Sequence, residues 1–596
     1  MTRTRAVLGV DQSPAGLIWV PRLDQSRENV ALAMSQRTDI PDVVARVLAG
    51  RDVSVEESGD FLDPSLKALM PDPSCLQDMD KASERLADAI RNREKIAIFG
   101  DYDVDGACSS ALAIKFLRQC GLDPVLYIPD RLTEGYGPNP AAIQALVDQG
   151  ATLIVSVDCG TSSFDSFDLA RSNGVDVVVL DHHQCGERLP DVVALVNPNR
   201  QDDLSGLGHL CAAGVVFLTL VALNRTLRQS GFRFPNTPPP LLEWLDLVAL
   251  ATVCDVVPLQ GLNRAFVRKG LIALRHLANQ GLAALARASR INGPLQPYHL
   301  GFLLGPRINA GGRIGDAALG AKLLLCQDTA LAERMAQDLD RLNGERQAME
   351  AVMLEEADAQ AFAQLEDRDP AVLVTVGETW HPGIVGLIAS RLKERYRRPC
   401  FAIALDESGA GAGSGRSIAG VDLGQAVRSA VDTGLLVKGG GHAMAAGLTV
   451  DQIRLDELKA YFQESLGAAV AEAGGRDELV IDGTLTASGA TLNLLEVLEN
   501  AGPFGSGHPE PVFAFPTHRV RYASVVGQGH VRCQIEDGSG GRLKAIAFRC
   551  AETPLGRLLL ESREAQAIHI AGMLSVDHWQ GDRKVQLRIT DAAPVR

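Results

Sequence analysis

The feature that most constrains the fold is a series of short, uninterrupted apolar segments that alternate with helix-like stretches between residues 95 and 198. Continuous apolar strands are buried on both faces, as in parallel sheets whose crossover helices cover both sides. CSSALAIKFLRQC (108–120) and PAAIQALVDQG (140–150) have the composition of such helices. The pattern therefore predicts an α/β domain with a parallel sheet, built on the segments KIAIF (95–99), PVLYIP (124–129), TLIVSV (152–157), VDVVVL (175–180) and DVVALVNP (191–198).

The rest of the chain divides into further stretches. Residues 316–366 have apolar positions at helical spacing, interrupted only by Gly344, which predicts one or two long connecting helices. A second α/β pattern begins at residue 370, and after AEAGGRDE (471–478) several short strand-like pieces predict a small antiparallel barrel or sandwich. We predict an N-terminal extension (1–40), a parallel-sheet domain (41–315), connecting helices (316–366), a second α/β domain (367–470) and a β-barrel domain (471–596).

Composition places the protein among soluble globular chains. Hydrophobic residues make up 46% and charged residues 22% of the chain, which is ordinary for such proteins. A chain of 596 residues is too long for one hydrophobic core. The sequence contains no run of 18 apolar residues that would indicate a membrane span. Its first residues, MTRTRAVLGVDQSPAG, do not have the pattern of a signal peptide. Eleven cysteines without a CxxC pair argue against structural zinc. We therefore expect a cytoplasmic protein with reduced thiols and no membrane partner.

The net charge of −15 argues at first against a nucleic-acid partner, because phosphates must be met by Lys and Arg. Two considerations weaken this argument. A carboxylate cluster that binds metal adds negative charge that the cations cancel. Basic residues can also line a single groove without changing the overall sign. The net charge therefore leaves nucleic-acid binding open.

Aspartates follow three of the predicted strands. Asp101, Asp103 and Asp105 come directly after the first, Asp158 after the third and Asp181 after the fourth. The carboxyl ends of parallel strands converge on one edge of the sheet, where open α/β folds bind their ligands. One such Asp is usually a turn or cap residue, and Asp101 or Asp105 could cap the next helix. Three strand ends of this kind are harder to explain by capping alone.

Histidines and a further carboxylate extend this pattern. LDHHQ (180–184) places His182 and His183 beside Asp181, and ATVCDVVPL (251–259) supplies Asp255 after an apolar helix. A lone histidine pair is more often surface or satisfied core than ligand. Carboxylates gathered in one crevice would repel each other without cations, and oxygen ligands with imidazole suit Mn²⁺ or Mg²⁺. Two such ions about 4 Å apart suit phosphoryl hydrolysis.

These motifs resemble the DHH phosphoesterase superfamily in GDYDVDG (100–106), the strand-terminal Asp158, DHH (181–183) and DVVPL (255–259). SGRSIAGVDLGQAV (414–427) and GGGHAMAAG (439–447) resemble its accessory domain, DHHA1. IPDRLTEGYGPN (128–139), PRINAGGRIGDA (306–317) and AGPFGSGHPEPVF (501–513) are similar to the RecJ-type exonucleases of that superfamily, and the resemblance covers roughly residues 40–596. It implies a DHH catalytic domain, a substrate-binding DHHA1 domain and an OB-like nucleic-acid-binding barrel.

The resemblance implies degradation of single-stranded DNA from its 5′ end in recombination and repair, with two Mn²⁺ or Mg²⁺ ions per active site. It also implies a helicase and a single-strand-binding protein as partners, and we expect a monomer. Two other functions stay open. A DHH-type phosphodiesterase would act on short oligonucleotides or cyclic dinucleotides, but such relatives generally end after the accessory domain. A non-catalytic single-strand-binding subunit would have lost metal ligands, whereas every motif position is filled here.

Carried over by motif position, the resemblance implies roles for individual residues. His183 would face the scissile phosphate as donor or acid, while Asp101 and Asp181 would orient ligands or water. Related pyrophosphatases carry a histidine at the position of Phe99, which we expect to be a core residue, so one ion should have fewer protein ligands. The implied metal ligands are Asp103, Asp105, Asp158, His182 and Asp255, with Asp158 bridging the two ions.

The resemblance also implies residues that hold the DNA. Three glycines in a row would offer consecutive free backbone N–H groups as a phosphate cradle, and arginines suit forked hydrogen bonds to phosphate. A surface salt bridge is an equally good reading of Arg313, and the barrel aromatics could equally be core. The implied substrate residues are Arg131, Arg307, Asn309, Arg313, Ser414, Arg416, Gly440, Gly441 and His442. Barrel candidates are Arg519, Arg521, Tyr522, Arg532, Lys544, Phe548 and Arg549.

Overall fold

The structure is a computed structural model that describes residues 6–131, 133–235, 237–474, 478–562, 566–577 and 583–595. The chain divides into two compact units. The first, here called the α/β unit, comprises Met70–Val257 and Phe266–Gly475. The second, here called the barrel unit, comprises Met1–Leu69, Pro258–Ala265 and Arg476–Arg596.

The strands and helices are numbered in chain order. The strands are β1 (Ile18–Pro21), β2 (Ile96–Gly100), β3 (Val125–Tyr127), β4 (Leu153–Val157), β5 (Asp176–Leu180), β6 (Ala194–Val196), β7 (Leu373–Gly377), β8 (Cys400–Leu405), β9 (Ala410–Arg416), β10 (Lys438–His442), β11 (Ala445–Asp451), β12 (Glu478–Ile481), β13 (Gly483–Thr484), β14 (Phe513–Val526), β15 (His530–Glu536), β16 (Arg542–Ala547), β17 (Ala567–Asp577) and β18 (Lys584–Pro594). The helices are α1 (Gln25–Arg37), α2 (Asp42–Ala49), α3 (Ser58–Leu62), α4 (Leu66–Leu69), α5 (Met79–Asn92), α6 (Val104–Gln119), α7 (Pro140–Asp148), α8 (Phe164–Ser172), α9 (Ala212–Gln229), α10 (Leu245–Cys254), α11 (Gly261–Ala273), α12 (Gln280–Ala288), α13 (Pro297–His299), α14 (Gly305–Ile314), α15 (Leu319–Leu325), α16 (Thr329–Asp367), α17 (Val385–Tyr396), α18 (Leu423–Asp432), α19 (Leu455–Ala473), α20 (Leu492–Asn500) and α21 (Pro554–Glu561). Within the described ranges, none of these helices is both long and apolar enough to cross a membrane.

The parallel sheet predicted from the apolar segments is confirmed. Its strand order is β3-β2-β4-β5-β6, and every neighbouring pair is parallel. Every residue of β2 and β4 is buried, as expected for strands covered by helices on both faces. Phe99 is fully buried and stacks on Tyr127 with ring centroids 5.3 Å apart. Phe99 is therefore the core residue that we expected.

The stretch predicted to form connecting helices contains α15 and the long α16, which precede the second sheet of the α/β unit. Asp328 caps α16 by accepting a hydrogen bond from the backbone amide of Leu331, and Gly344 lies inside the helix without ending it. The second sheet has the order β10-β11-β9-β8-β7. Its β7–β8 pair is parallel and its other pairs are antiparallel. The second α/β domain is thus a mixed sheet.

The barrel unit contains the closed barrel predicted for the tail. Its strands follow the order β14-β15-β16-β18-β17, and β14 also pairs with β17 to close the ring. The N-terminal β1 pairs in parallel with β12, and the indole Nε1 of buried Trp19 donates to Asp591 Oδ2 at 2.8 Å. The domain boundaries proposed from the sequence stay predictions, and residues 475–477 of the AEAGGRDE segment lie outside the described residues.

Candidate metal centre

The register of the parallel sheet aligns the aspartates that follow its strands. Gly100 pairs with Val157, and Val157 pairs with Leu180. The next residues along the chain, Asp101, Asp158 and Asp181, are therefore neighbours at one edge of the sheet, and all three are buried. Asp158 has a φ of +61°, an uncommon conformation for a side chain with a Cβ, so the turn after β4 is strained.

The glycines of the GDYDVDG motif permit a close turn from β2 into α6. A Cβ on Gly106 would lie 2.4 Å from the backbone oxygen of Asp101, so no larger residue fits there. Asp103, rather than Asp101 or Asp105, caps α6, because its side chain accepts hydrogen bonds from the amides of Asp105 and Gly106. The alternative explanation of Asp101 or Asp105 as the cap of this following helix is therefore wrong.

Asp105 links α6 to the N-terminus of α9. Its carboxylate accepts hydrogen bonds from the backbone amides of Ala212 at 2.6 Å and Ala213 at 2.8 Å. A helix N-terminus offers free N–H groups and a positive dipole end, both of which suit a carboxylate. Asp105 is thus fixed in a buried position with its remaining lone pairs available to the cluster.

The imidazole of His182 faces three carboxylates. Its Nε2 lies 3.3 Å from Asp158 Oδ1, 3.7 Å from Asp255 Oδ2 and 3.8 Å from Asp105 Oδ2. Its Nδ1 lies 3.1 Å from the carbonyl oxygen of Leu210, which can only accept a hydrogen bond. This arrangement fixes the proton of a neutral ring on Nδ1 and leaves Nε2 free to bind a metal.

His183 is held by Asp181. Its Nδ1 lies 2.8 Å from Asp181 Oδ1, which also accepts the backbone amides of both histidines, while Oδ2 accepts the hydroxyl and the amide of Thr161. Burial opposes charge on both groups, but their mutual hydrogen bond and attraction outweigh it. The pKa of His183 is raised to about 9 and the pKa of Asp181 lies well below its usual value.

Several buried carboxylate oxygens at this edge have no hydrogen-bond donor among the described residues: Asp101 Oδ1, Asp158 Oδ1 and Asp255 Oδ2. Burial first, and neighbouring carboxylates second, raise the pKa of Asp101, Asp158 and Asp255, the last to about 9. Without a cation these groups are therefore costly to ionise, and a bound dication would reverse that effect. Oxygen donors with one imidazole fit Mn²⁺ or Mg²⁺.

The donor atoms form three overlapping groups in which all atoms lie within 4.8 Å of one another: Asp101, Asp103 and Asp158; Asp105, His182 and Asp255; and Asp158, His182 and His183. The structure thus brings together the five residues predicted as ligands, together with Asp101 and His183. Asp158 belongs to two of the groups, as its predicted bridging position requires. Both Asp181 oxygens are occupied by donors, which suits an orienting residue. The individual roles stay predictions.

Three arginines gather beside the GDYDVDG motif without an acidic partner among the described residues: Arg131, Arg313 and Arg416. The guanidinium of Arg131 lies 5.3 Å from the ring centre of Tyr102, which is the residue between Asp101 and Asp103 in the chain. Burial first, and then the nearby Arg131 and Arg346, lower the pKa of Arg313 to about 10. Burial and Arg131 also lower the pKa of Arg416. Half-buried guanidinium groups that lie close together and repel one another form a site for an anion.

The first turn of α17 contributes to this arginine cluster. A Cβ on Gly386 would lie 3.1 Å from both Ser414 Oγ and Arg416 Nη2, so the helix start is packed directly against these side chains. Arg416 Nη1 also donates to Ser414 Oγ at 2.9 Å, and Arg313 Nη1 donates to the carbonyl of Gly383 at 2.9 Å. Arg313 is half-buried and bonded to a backbone carbonyl, with no acidic partner among the described residues, so its alternative explanation as a surface salt bridge is wrong. A helix N-terminus adds a further attraction for phosphate.

Two other predicted substrate residues make internal contacts. Arg307 pairs with Asp340 of α16 at 2.8 Å and also donates to the carbonyl of Leu303. Asn309 Oδ1 accepts the backbone amide of Val104 at 3.1 Å, which ties α14 to the first turn of α6. Both residues therefore support the site through neighbouring elements in this structure.

The GGGH segment forms strand β10 of a hairpin with β11 instead of an open loop. Gly440 pairs with Gly447, Gly441 with Ala446 and His442 with Ala445. In an antiparallel ladder alternate amides bond to the partner strand, so the expected run of consecutive free N–H groups is wrong. Gly440 is half-buried, whereas Gly441 and His442 are exposed.

The outer face of the barrel carries a polar and basic surface. The register aligns Tyr522, Gln534, Lys544 and Gln586 in one row across four strands, and Ser524, Arg532, Ile546 and Arg588 in the next. In OB-type barrels the outer face of the second and third strands, here β15 and β16, binds oligonucleotides. Three predicted barrel residues therefore share this face, whereas Arg521 lies at a bulge and pairs with Glu536. We call the two rows the barrel face.

Some residues at these clusters were not predicted from the sequence. The hydroxyl of Tyr136 reaches His183, and Arg346 lies close enough to Arg313 to lower its pKa. Gly383, the acceptor of the Arg313 hydrogen bond, belongs to the segment HPGIVG (381–386) before and within α17. The tyrosine had a recognisable signal, since a glycine on each side indicates a tightly turned loop. Arg346 sits in a long charged helix and had none.

The sheet, its carboxylate row and the accessory domain define a phosphoesterase of the DHH class. Sequence profiles described as "DHH family, N-terminal domain", "DHHA1 domain" and "RecJ OB domain" match residues 95–252, 369–468 and 481–591. The chain is 39% identical over 574 residues to the single-stranded-DNA-specific exonuclease RecJ of Dickeya dadantii, covering 94% of this chain and 98% of that protein. The corresponding values for RecJ of Escherichia coli are 37% over 572 residues, 94% and 96%. The chain therefore belongs to the RecJ family of single-stranded-DNA-specific exonucleases.

Solved structures agree with this assignment. RecJ from Thermus thermophilus in complex with Mn²⁺ superposes with a TM-score of 0.76 at 29% identity, covering 96% of this chain and 78% of that one. A second exonuclease RecJ, bound to manganese, has a TM-score of 0.56 at 34% identity and covers 68% of this chain and 96% of that one. The fold predicted from the sequence, including the OB-like barrel, is confirmed.

Proposed function

We propose that the protein degrades single-stranded DNA in the 5′ to 3′ direction by hydrolysing phosphodiester bonds with Mn²⁺ or Mg²⁺, in recombination and repair. The observation that carries this proposal is the row of buried strand-end carboxylates whose oxygens lack donors. Such a row is stable with ionised side chains only when cations are present. Family membership adds the substrate, since the relatives are single-stranded-DNA-specific exonucleases.

The ligands would be Asp103, Asp105, Asp158, His182 and Asp255, with Asp101 close enough to Asp103 and Asp158 to join them. Two divalent ions held there would neutralise the scissile phosphate and make a water molecule nucleophilic. The chain needs no nucleophile of its own. Asp105 is held in place by two backbone amides and His182 by the Leu210 carbonyl, so both present fixed donor atoms.

We propose that His183 gives a proton or hydrogen bond to the scissile phosphate. Asp181 would orient the ring, because its Oδ1 bonds to Nδ1 at 2.8 Å and thereby directs Nε2 away from itself. Both oxygens of Asp181 are satisfied by internal donors, so it would have no direct contact with DNA. This division of labour is the usual one for a histidine with a carboxylate partner.

The arginine cluster gives the proposed polarity. Arg131, Arg313 and Arg416 would bind the 5′-terminal phosphate, with Ser414 and the start of α17 as further donors. A terminal phosphate carries more negative charge than an internal diester, and uncompensated guanidinium groups favour the higher charge. Arg131 lies over Tyr102, within the metal-binding motif, so an anion at this cluster would sit close to the carboxylates. Arg307, Asn309, Gly440, Gly441 and His442 would contact or support the following nucleotides.

The barrel face would hold a more distant part of the strand. Tyr522 and Lys544 lie in one row and Arg532 in the next, which combines a stacking ring with positive charge. This face favours a long strand over the alternative substrates, which are short oligonucleotides and cyclic dinucleotides. The three groups of potential metal ligands also argue against the alternative that the protein is a non-catalytic binding subunit. We further propose a cytoplasmic monomer that acts with a helicase and a single-strand-binding protein.

The test is digestion of the same single strand labelled at either its 5′ or its 3′ end, with Mn²⁺. A 5′ label should appear at once in mononucleotides, whereas a 3′ label should pass through progressively shorter strands. Asp158→Ala should be inactive, and Asp165→Ala, which removes an exposed carboxylate from α8, should behave as wild type. Early release of the 3′ label would contradict the proposed direction, and activity in Asp158→Ala would contradict the metal site.

A further inference from the structure

Tyr136 lies in the loop between β3 and α7 and contacts His183, the proposed proton donor. Its side chain is 53% exposed, yet its hydroxyl reaches the carboxylate row. The Oη atom lies 3.1 Å from the carbonyl oxygen of Asp158, and 3.2 Å and 3.3 Å from Nδ1 and Nε2 of His183. The two rings meet edge to face, with centroids 5.6 Å apart. Tyr136 therefore touches the same imidazole that Asp181 holds.

The loop is built to keep this tyrosine in place. Gly135 and Gly137, on either side of Tyr136, have φ values of +85° and +76°, which a residue with a Cβ rarely adopts. The carboxylate of Glu134 anchors the loop by accepting the hydroxyl of Tyr127 at 2.7 Å. The two glycines permit the turn that this loop makes, and in this conformation the Tyr136 hydroxyl reaches His183.

The distances define what the hydroxyl does. Oη is almost equally far from both ring nitrogens, and at these distances a position in the ring plane would overlap Cε1, so Oη lies over the face of the ring. Nδ1 of His183 is closer to Asp181, so its proton is directed there, and the hydroxyl proton is directed to the Asp158 carbonyl. A lone pair of Oη then faces the imidazole. Rotation of the ring would lose the Asp181 bond and bring the ring edge against the tyrosine.

We propose that Tyr136 is a positioning residue that fixes the orientation of His183 for proton donation. It works together with Asp181, which sets the tautomer, and it ties the imidazole to the backbone of Asp158. The inference rests on the proposed role of His183. Tyr136 belongs to the TEGYGPN segment (133–139). In this role it would bind neither a metal ion nor a phosphate and would act only through His183.

The first test is Tyr136→Phe, which removes only the hydroxyl. We expect kcat to fall roughly tenfold or more, as for loss of one hydrogen bond in the transition state, with KM for single-stranded DNA and the required Mn²⁺ concentration unchanged. The matched control is Tyr461→Phe, whose hydroxyl donates to the Ala426 carbonyl in the second α/β domain and whose loss should leave kcat unchanged. A rise in KM with normal kcat would overturn the proposal, because Tyr136 would then bind substrate.

A double-mutant cycle with His183→Ala separates this inference from the proposed function. If Tyr136 acts only through His183, Tyr136→Phe should have no further effect once His183 is removed. Additive losses would overturn the inference and leave the role of His183 intact. A normal kcat for His183→Ala would overturn both. Gly135→Ala, which strains the loop without filling space, should lower kcat in the same way and add nothing to Tyr136→Phe.

A readout without turnover completes the test. In metal-free protein with ¹⁵N-labelled histidine, the His183 signal, assigned by its absence in His183→Ala, reports the tautomer and hydrogen bonding of the ring. Tyr136→Phe should shift this signal and leave the His508 signal unchanged, since the His508 ring bonds to the Ala501 carbonyl and stacks on Phe504. An unchanged His183 signal would overturn the proposal even if kcat fell.

Discussion

The α/β unit contains two clusters of opposite charge, one of carboxylates and one of half-buried arginines, and they differ in how the chain builds them. Most of the carboxylates follow strands of the parallel sheet, whose register alone makes Asp101, Asp158 and Asp181 neighbours, while Asp255 follows helix α10. The arginine cluster draws Arg131, Arg313 and Arg416 from three separate loops and elements, and only tertiary packing brings them together. Each cluster repels itself and needs a ligand of the opposite charge, cations in one and phosphate in the other.

The largest effect on activity should come from removing the carboxylate of Asp158, which belongs to two of the three groups of potential metal ligands. Asp158→Ala should lower activity by several orders of magnitude because both ions would lose a ligand. Without metal the variant should be at least as stable as wild type, since one repelling charge is gone. Mn²⁺ should raise the Tm of wild type and of Asp165→Ala but leave Asp158→Ala nearly unchanged. Near-normal turnover in Asp158→Ala would remove the basis for the comparison.

The two histidines should separate binding of the ions from the chemical step. His182→Ala should raise the Mn²⁺ concentration needed for half-maximal activity by about tenfold or more, because its Nε2 faces three carboxylates. His183→Ala should lower kcat by about 10²–10⁴ with the metal requirement nearly unchanged. Metal titrations measured at saturating DNA decide the point. Identical titrations for wild type and His182→Ala would mean that His182 is not a ligand.

The arginine cluster can be tested separately by measuring DNA binding in EDTA. Arg416→Ala should weaken binding of a 5′-phosphorylated strand by about 1–3 kcal/mol, the usual cost of losing a charged hydrogen bond. A strand with a 5′ hydroxyl should show a smaller difference. Arg287→Ala removes an exposed arginine that pairs with Glu333 and serves as the control. Equal losses for both kinds of 5′ end would show that the cluster binds an internal phosphate instead.

The smallest effect should come from the barrel face. Replacing Lys544 or Arg532 by Gln should reduce the salt dependence of binding to a long strand by about one unit of slope each. Turnover of a very short oligonucleotide should not change. Arg521→Gln is the matched control, because this arginine lies at the bulge, outside the two rows of the barrel face, and should contribute less. Unchanged slopes for Lys544 and Arg532 would indicate that DNA does not follow this face.

The same contrast explains how much the sequence could predict. Strand periodicity fixes which residues end a parallel strand, so the carboxylate row and the adjoining histidines could be located without coordinates. Arg131 and Arg416 were named only through the family resemblance. Arg346 and Tyr136 were not predicted. The glycines on either side of Tyr136 indicate a turn, but the direction of a loop and the face of a helix depend on packing that local patterns do not encode.

One expectation and one alternative explanation were wrong for physical reasons. GGGH suggested consecutive free N–H groups, but its residues pair with β11 and form the edge of a hairpin. A cap was considered at Asp101 or Asp105, whereas the tight turn at Gly106 places Asp103 at the cap position. The pairing of β1 with β12 also had no local signal, since the two strands lie at opposite ends of the chain. Long-range pairing of short strands is the part of this fold that sequence patterns describe least.

The most direct test of the central claim is anomalous X-ray diffraction at the manganese absorption edge from crystals grown with Mn²⁺. We predict two anomalous peaks in the carboxylate cluster, one near Asp101, Asp103 and Asp158 and one near Asp105, His182 and Asp255, with Asp158 between them. Crystals of Asp158→Ala under the same conditions should lose both peaks or retain them only weakly. A wild-type crystal with no peak in this cluster, or with manganese bound elsewhere, would contradict the account.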